Sequence, residues 1–145
     1  MRLPFAIIAL CVGVCGATEY FVDKNRPDDS GAGTSEQTAF KTIQAAVGKA
    51  GNNDIVTVLP GEYAETPVTV VDGDSTSYSS KSRLYITNSI TLRSRDGAEK
   101  THIVGAYDLE SGFYGMGPNA VRCISVKKGI GAVIEGFTIR DGASC

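Results

Sequence analysis

Tryptophan is absent from the 145 residues, and glycine is abundant at 17. High glycine content with moderate hydrophobicity fits short strands joined by many tight turns. There is one histidine, His102, placed between apolar residues in a strand-like stretch. A general base needs a positioned partner, and none is identifiable beside it. His102 therefore reads as a structural or surface residue. A basic excess is also missing. The formal net charge is −2, which argues against nucleic acid as a partner, since that ligand selects a basic stripe. No apolar run reaches the roughly 20 residues that a membrane-spanning helix needs, so membrane insertion is not expected.

The longest apolar run lies at the start. Arg2 forms a positive n-region, residues 5–12 an apolar h-region, and Cys15, Gly16 and Ala17 a small-residue cleavage site. This is the pattern of a secretory signal peptide over residues 1–17. It leaves one domain at 18–145, enough chain for a core, and removal of Arg2 moves the net charge to −3. The expected localisation is secreted, extracellular or cell-surface. Of four cysteines only Cys123 and Cys145 remain after cleavage. Export makes a disulfide between them chemically allowed. Two unpaired thiols, or a Cys145 that pairs with something beyond this chain, are the alternatives, and sequence spacing does not decide.

The stretch 40–63, FKTIQAAVGKAGNNDIVTVLPGEY, organises the chain. Phe40, Ile43, Ala46, Val47 and Ala50 recur at helical spacing. Thr42 is an N-cap candidate, and Gly51 with two asparagines stops the helix. Ile55 to Leu59 reads as a strand, ended by a Pro60-Gly61 turn. Further strands are expected at 19–23, 67–71, 84–86, 90–92, 102–104, 121–126, 132–134 and 137–139. Polar loops are expected at 24–38 and 72–83, turns at 95–97 and 127–129, and an insert rich in glycine and aromatics at 105–119. The Ile90-Thr91-Leu92 and Phe137-Thr138-Ile139 stretches read as a loose repeat.

FKTIQAAVGKA followed by DIVTVLPGEYAETPVTV resembles the N-terminal part of the right-handed parallel β-helix, pectin lyase-like superfamily. The likeness continues through NSITLRSRDGAEKTHIVGA and GAVIEGFTIRDGA. It includes pectin methylesterases, polysaccharide lyases and bacterial surface proteins with parallel β-helix repeats. The resemblance implies an all-β parallel β-helix solenoid with an N-terminal capping α-helix and an incomplete C-terminal end. A β-sandwich is the competing architecture. On the solenoid reading, residues 18–145 are the cap and first coils, and the uncapped last coil invites self-association.

The esterases carry catalytic Gln, Asp and Arg on coils that follow a segment resembling GFTIRDGAS, and the lyases carry acidic calcium ligands with Lys or Arg bases on central coils. No residue here matches either set, so no catalytic residue and no cofactor is assigned. Calcium has two local candidates, Asp28-Asp29 and Asp72-Gly73-Asp74, but a hard cation wants six or more oxygens and neither stretch supplies them. Asp108 and Glu110, spaced i and i+2, would share one face of an extended segment and form a carboxylate pair for acid–base work on a sugar. Tyr78, Tyr107, Phe113 and Tyr114 lie in the two inserts. Aromatic rings with neighbouring carboxylates suit sugar recognition, so Tyr78, Tyr107, Asp108, Glu110, Phe113 and Tyr114 are the candidate carbohydrate contacts. The alternative is that these rings pack locally. The expected function is a secreted, non-catalytic protein that binds polysaccharide or sits at the cell surface. Two alternatives stand beside it: the front of a lyase or esterase whose site lies beyond residue 145, and an adhesin-like passenger.

Overall fold

Apolar residues at helical spacing and strand-length runs of β-branched residues set the elements of this chain. The computed structural model describes residues 16–71, 79–111 and 114–143. In order these form β1 (Glu19–Val22), a 3-10 turn (Glu36–Thr38), α1 (Ile43–Lys49), β2 (Ile55–Val58), β3 (Gly61–Tyr63), β4 (Val68–Val71), β5 (Ser79–Ile86), β6 (Thr91–Ser94), β7 (Thr101–Val104), β8 (Val121–Val126), β9 (Val133–Glu135) and β10 (Thr138–Arg140). The expected signal peptide and the Asp72-Gly73-Asp74 stretch lie outside the described residues, save for Gly16 and Ala17.

Thr42 caps α1 as its position predicts. Its backbone is extended, and its hydroxyl accepts from the Ala45 amide at 3.2 Å, meeting one of the unpaired donors of the first turn. The helix is shorter than the apolar spacing implies, because Phe40 lies in extended chain and bridges Val22. Ile43, Ala46 and Val47 face inward, and the helix packs against β1, β2 and β5. Asn53 adopts φ 69° in the turn into β2, a conformation that Asn tolerates better than most residues.

The strands fall into three small sheets: β1-β2-β6-β9, β3-β7-β10 and β4-β5-β8. The first two are wholly parallel. In the third, β5 pairs parallel with β8 and antiparallel with β4. Inward ladders of Tyr20, Val56 and Leu92, of Val22 and Val58, and of Tyr63 and Ile103 build one core with Ile43, Val47, Leu84, Ile86 and Ile90.

The expected parallel β-helix with an N-terminal capping helix is corrected by this arrangement. Among the described residues three small sheets form, of four, three and three strands, one holding an antiparallel pair, with no solenoid. One physical reason lies in the polar stretch expected to be a loop. Residues Ser79 to Arg83 belong to β5, and Ser79 to Ser82 zip against β4. Their polar groups are satisfied in place. Ser82 is fully buried and donates to the Leu84 carbonyl at 2.9 Å. The Arg83 guanidinium donates to the carbonyls of Val104 at 2.8 Å, of Gly105 at 3.4 Å and of Glu65. Gly61, expected as a turn, opens β3. The loose repeat is corrected as well: Thr91 and Leu92 pair with Val133 and Ile134, whereas Thr138 and Ile139 pair with His102 and Ile103 in a different sheet.

Candidate functional site

The segment between β7 and β8 forms a loop that its own polar groups hold in shape. Ala106 bridges Val121, and Asp108 bridges Gly115. The Asp108 carboxylate is 4% exposed and accepts from the Asn119 amide at 2.9 Å and the Glu110 amide at 3.3 Å. The Ser111 hydroxyl reaches the carbonyls of Asp108 and Met116. Gly117 is required where it stands, since a Cβ there would lie 2.5 Å from an Asp108 carboxylate oxygen. A loop pinned from inside turns its apolar side chains out: Tyr114 is 99% exposed and Tyr107 51%.

The two tyrosines and Met116 form one wall of an open groove of about 760 Å³. Arg122, Cys123 and Ile124 of β8 contribute, as do Ile139 and Arg140 of β10 and the following Asp141, Gly142 and Ala143. Arg140 is oriented by ion pairs to Asp141 and, at 2.6 Å, to Glu62. Arg122 donates to the Ser80 hydroxyl at 3.1 Å. The Cys123 thiol donates to the Arg140 carbonyl at 3.1 Å, and burial pushes its pKa up. It is therefore a poor nucleophile at neutral pH. The groove thus offers two aromatic faces and an apolar edge on one side and fixed charged hydrogen-bonding groups on the other, with no nucleophile–base pair among the described residues.

A second pocket of about 280 Å³ lies beside the start of α1, lined by Lys24, Lys41, Thr42, Glu62, Tyr63 and Glu65. Burial pushes the Glu65 carboxyl up to about 7, with the nearby Asp29 charge adding to the effect and Arg83 opposing it. One Glu65 oxygen accepts from the Ile43 amide at 3.2 Å. Asp29 accepts from the amides of Lys41 and Thr42 at 2.7 and 2.8 Å and from the Thr42 hydroxyl at 2.9 Å. Both carboxylates are thus engaged in fastening the loop before α1 and the segment after β3 to the helix. This is a structural use of acidic groups beside unpaired amides.

Of the residues singled out in the sequence, Tyr107 and Tyr114 come together in the groove. Asp108 and Glu110 do not form a shared acidic face: Asp108 is buried inside the loop, and Glu110 is exposed. Tyr78, Phe113 and Cys145, and with it the Cys123–Cys145 pairing, lie outside the described residues. His102 is half-buried, its Nε2 3.2 Å from the Glu99 carbonyl. Asp28 accepts from the Ser30 amide at 2.9 Å, so Asp28 and Asp29 serve separate turns. Sequence reasoning missed Met116, Arg122, Ile139, Arg140 and Asp141 as groove residues. Alternation along β8 and β10 says which side chains of those strands share a face but not what faces them, and Met116 and Asp141 lie outside both strands, without even that signal.

No family model matches this chain, and no curated protein or solved structure matches it.

Proposed function

We propose that the chain is a secreted, non-catalytic carbohydrate-binding protein that takes its ligand in the groove between the 107–116 loop and strands β8 and β10. The observation that carries this reading is the pairing of two outward tyrosine rings, Tyr107 and Tyr114, with the fixed Arg122, Arg140 and Asp141 across an open-sided groove. A sugar ring presents an apolar face and a rim of hydroxyls. Aromatic surface meets the first, and charged donors and acceptors meet the second. An open groove also admits an internal stretch of a polymer. The residues 1–17 pattern supports export, which would place the groove where polysaccharides are met.

The test is retention on a panel of immobilised polysaccharides, with reducing-end release measured in parallel. The wild type is retained by at least one polysaccharide and releases no new reducing ends. Tyr107→Ala and Tyr114→Ala each weaken that binding by about tenfold, the loss expected for one aromatic contact. Equal retention of wild type and both variants would overturn the assignment of the groove. Release of reducing ends that both variants abolish would overturn the non-catalytic reading.

A further inference from the structure

One carboxyl group joins three segments of the chain. Glu65 follows β3, and its Oε1 accepts from the amide of Ile43, the first residue of α1, at 3.2 Å. Its own carbonyl takes the Arg83 guanidinium of β5. The same residue lines the pocket of about 280 Å³ beside the start of α1. Charged groups surround it. Asp29, in the loop before α1, is near enough to oppose a second negative charge. Glu62 of β3 shares the pocket wall but is committed to Arg140 at 2.6 Å. Arg83 is turned to carbonyls, those of Val104 and Gly105 besides that of Glu65. Burial keeps the Tyr63 phenol neutral. Lys24 and Lys41 line the pocket too. The Lys41 ammonium reaches the Pro27 carbonyl at 3.1 Å, and the Lys24 ammonium has no hydrogen-bond or ion-pair partner among the described residues. The two carboxylates nearest α1 are held unequally. Asp29 takes three bonds, from the amides of Lys41 and Thr42 and from the Thr42 hydroxyl, at 2.7 to 2.9 Å. The Glu65 carboxyl takes one, and it is longer.

We infer that Glu65 is a pH-operated latch on the first turn of α1: protonated, it holds the Ile43 amide, and ionised, it leaves that amide and turns into the adjoining pocket toward Lys24 and Lys41. A protonated carboxyl keeps an acceptor oxygen for the amide and sets no charge against Asp29. Ionisation places a second negative charge beside Asp29 in a half-buried position, which like charge and burial both disfavour. The Ile43 amide by itself favours the ionised form, but burial outweighs it and raises the Glu65 pKa to about 7. Of the two carboxylates Glu65 is the less firmly bonded, so Glu65 is the one that moves. The pocket gives it room, and the two ammonium groups give it the opposite charge that neither Asp29 nor the committed Arg83 supplies. The latch is closed in acid and opens as pH rises through neutrality. What opens is local. The Ile43 amide loses its acceptor, whereas the Thr42 hydroxyl keeps the Ala45 amide and Asp29 keeps those of Lys41 and Thr42. The latch does not depend on what the tyrosine groove binds.

The experiment follows the Glu65 side-chain carboxyl and the backbone amides of α1 by NMR, without added glycan, from about pH 4.5 to about pH 8.5, a range that brackets the titration. In the wild type the protection of the Ile43 amide, corrected for the intrinsic pH dependence of exchange, is expected to fall about tenfold as the carboxyl ionises, the loss of one hydrogen bond. Protection of the Ala45 amide is expected to hold. Glu65→Gln is expected to keep Ile43 protected over the whole range. Lys24→Met combined with Lys41→Met removes the ammonium groups that receive the ionised side chain, and is expected to raise the midpoint of the carboxyl titration by about 0.3 to 0.7 of a pH unit, the size of a solvent-exposed charge pair. Ile43 protection that holds while Glu65 titrates, an equal loss in Glu65→Gln, or a midpoint indifferent to the two lysines would each overturn the inference.

Discussion

Replacing Glu65 by Gln should make the protein more stable in mild alkali and leave it nearly unchanged in acid. The sign follows from the direction of the shift. Burial raises the Glu65 pKa from 4.5 to about 7 in the fold. Between those values the folded chain holds a proton that the unfolded chain has released, so stability falls as pH rises. The favourable contribution is complete below pH 4.5 and gone above about 7. A shift of that size corresponds to about 3 kcal/mol at 1.36 kcal/mol per unit. Glutamine stays neutral, and its carbonyl can still accept from the Ile43 amide, which the Glu65 carboxyl meets at 3.2 Å. The assay is urea unfolding of both proteins at several pH values from about 4 to about 8.5, which brackets the titration. Other groups titrate over the same range. Glu19, for example, is held below its ordinary value by the Thr57 hydroxyl and by Arg93, and its contribution is lost at low pH instead. Such effects are common to both proteins and cancel in the difference. The expected difference is near zero at the acid end and grows to about 3 kcal/mol in favour of Glu65→Gln above neutrality. Parallel curves would refute the claim that Glu65 is ionised at a cost.

Three further outcomes follow from close packing and caps. Asp108→Ala strands the amides of Asn119 and Glu110 and should cost about 1–3 kcal/mol in chemical denaturation, with glycan retention lost as the loop that carries Tyr107 and Tyr114 loosens. Gly105→Ala places a Cβ 2.5 Å from the Val121 carbonyl oxygen and 2.5 Å from the Gly142 Cα; both are backbone, so a loss of about 1–3 kcal/mol is expected in thermal melts. Thr42→Ala removes the α1 cap and the hydroxyl that Asp29 holds, and should cost about 1 kcal/mol by urea unfolding, whereas Thr42→Ser should recover most of it.

The parts of the fold that were legible in the sequence are those decided locally. The Thr42 cap, the inward face of α1 and β8 at residues 121–126 follow from side-chain type and spacing alone. Sheet architecture is decided by pairing between distant segments, which spacing does not fix. So the similar triplets at 90–92 and 137–139 misled, because their strands add to different sheets. The polar run before Leu84 misled because its Arg83 guanidinium finds carbonyl partners that lie elsewhere in the chain, while its Ser82 hydroxyl is satisfied by the nearby Leu84 carbonyl. The site divides in the same way. Tyr107 and Tyr114 stood out as aromatics in a glycine-rich loop. Arg140 and Ile139 join them only because β10 pairs with β7. Asp108 stands out in the sequence for its i, i+2 spacing to Glu110 and its aromatic neighbours, whereas its carboxylate turns inward to the amides of Asn119 and Glu110, a use open to a short carboxylate in a loop.

The most direct measurement of the binding claim is an amide chemical-shift map of the protein titrated with an oligosaccharide from whichever polysaccharide retains it. The account predicts shifts confined to the 107–116 loop, Arg122 to Ile124 and residues 139–143, with Tyr114→Ala moving the midpoint of the titration to about tenfold higher ligand. Shifts centred on Lys24, Lys41 and Glu65, or on the outer face of β1, β2 and β6, would contradict it.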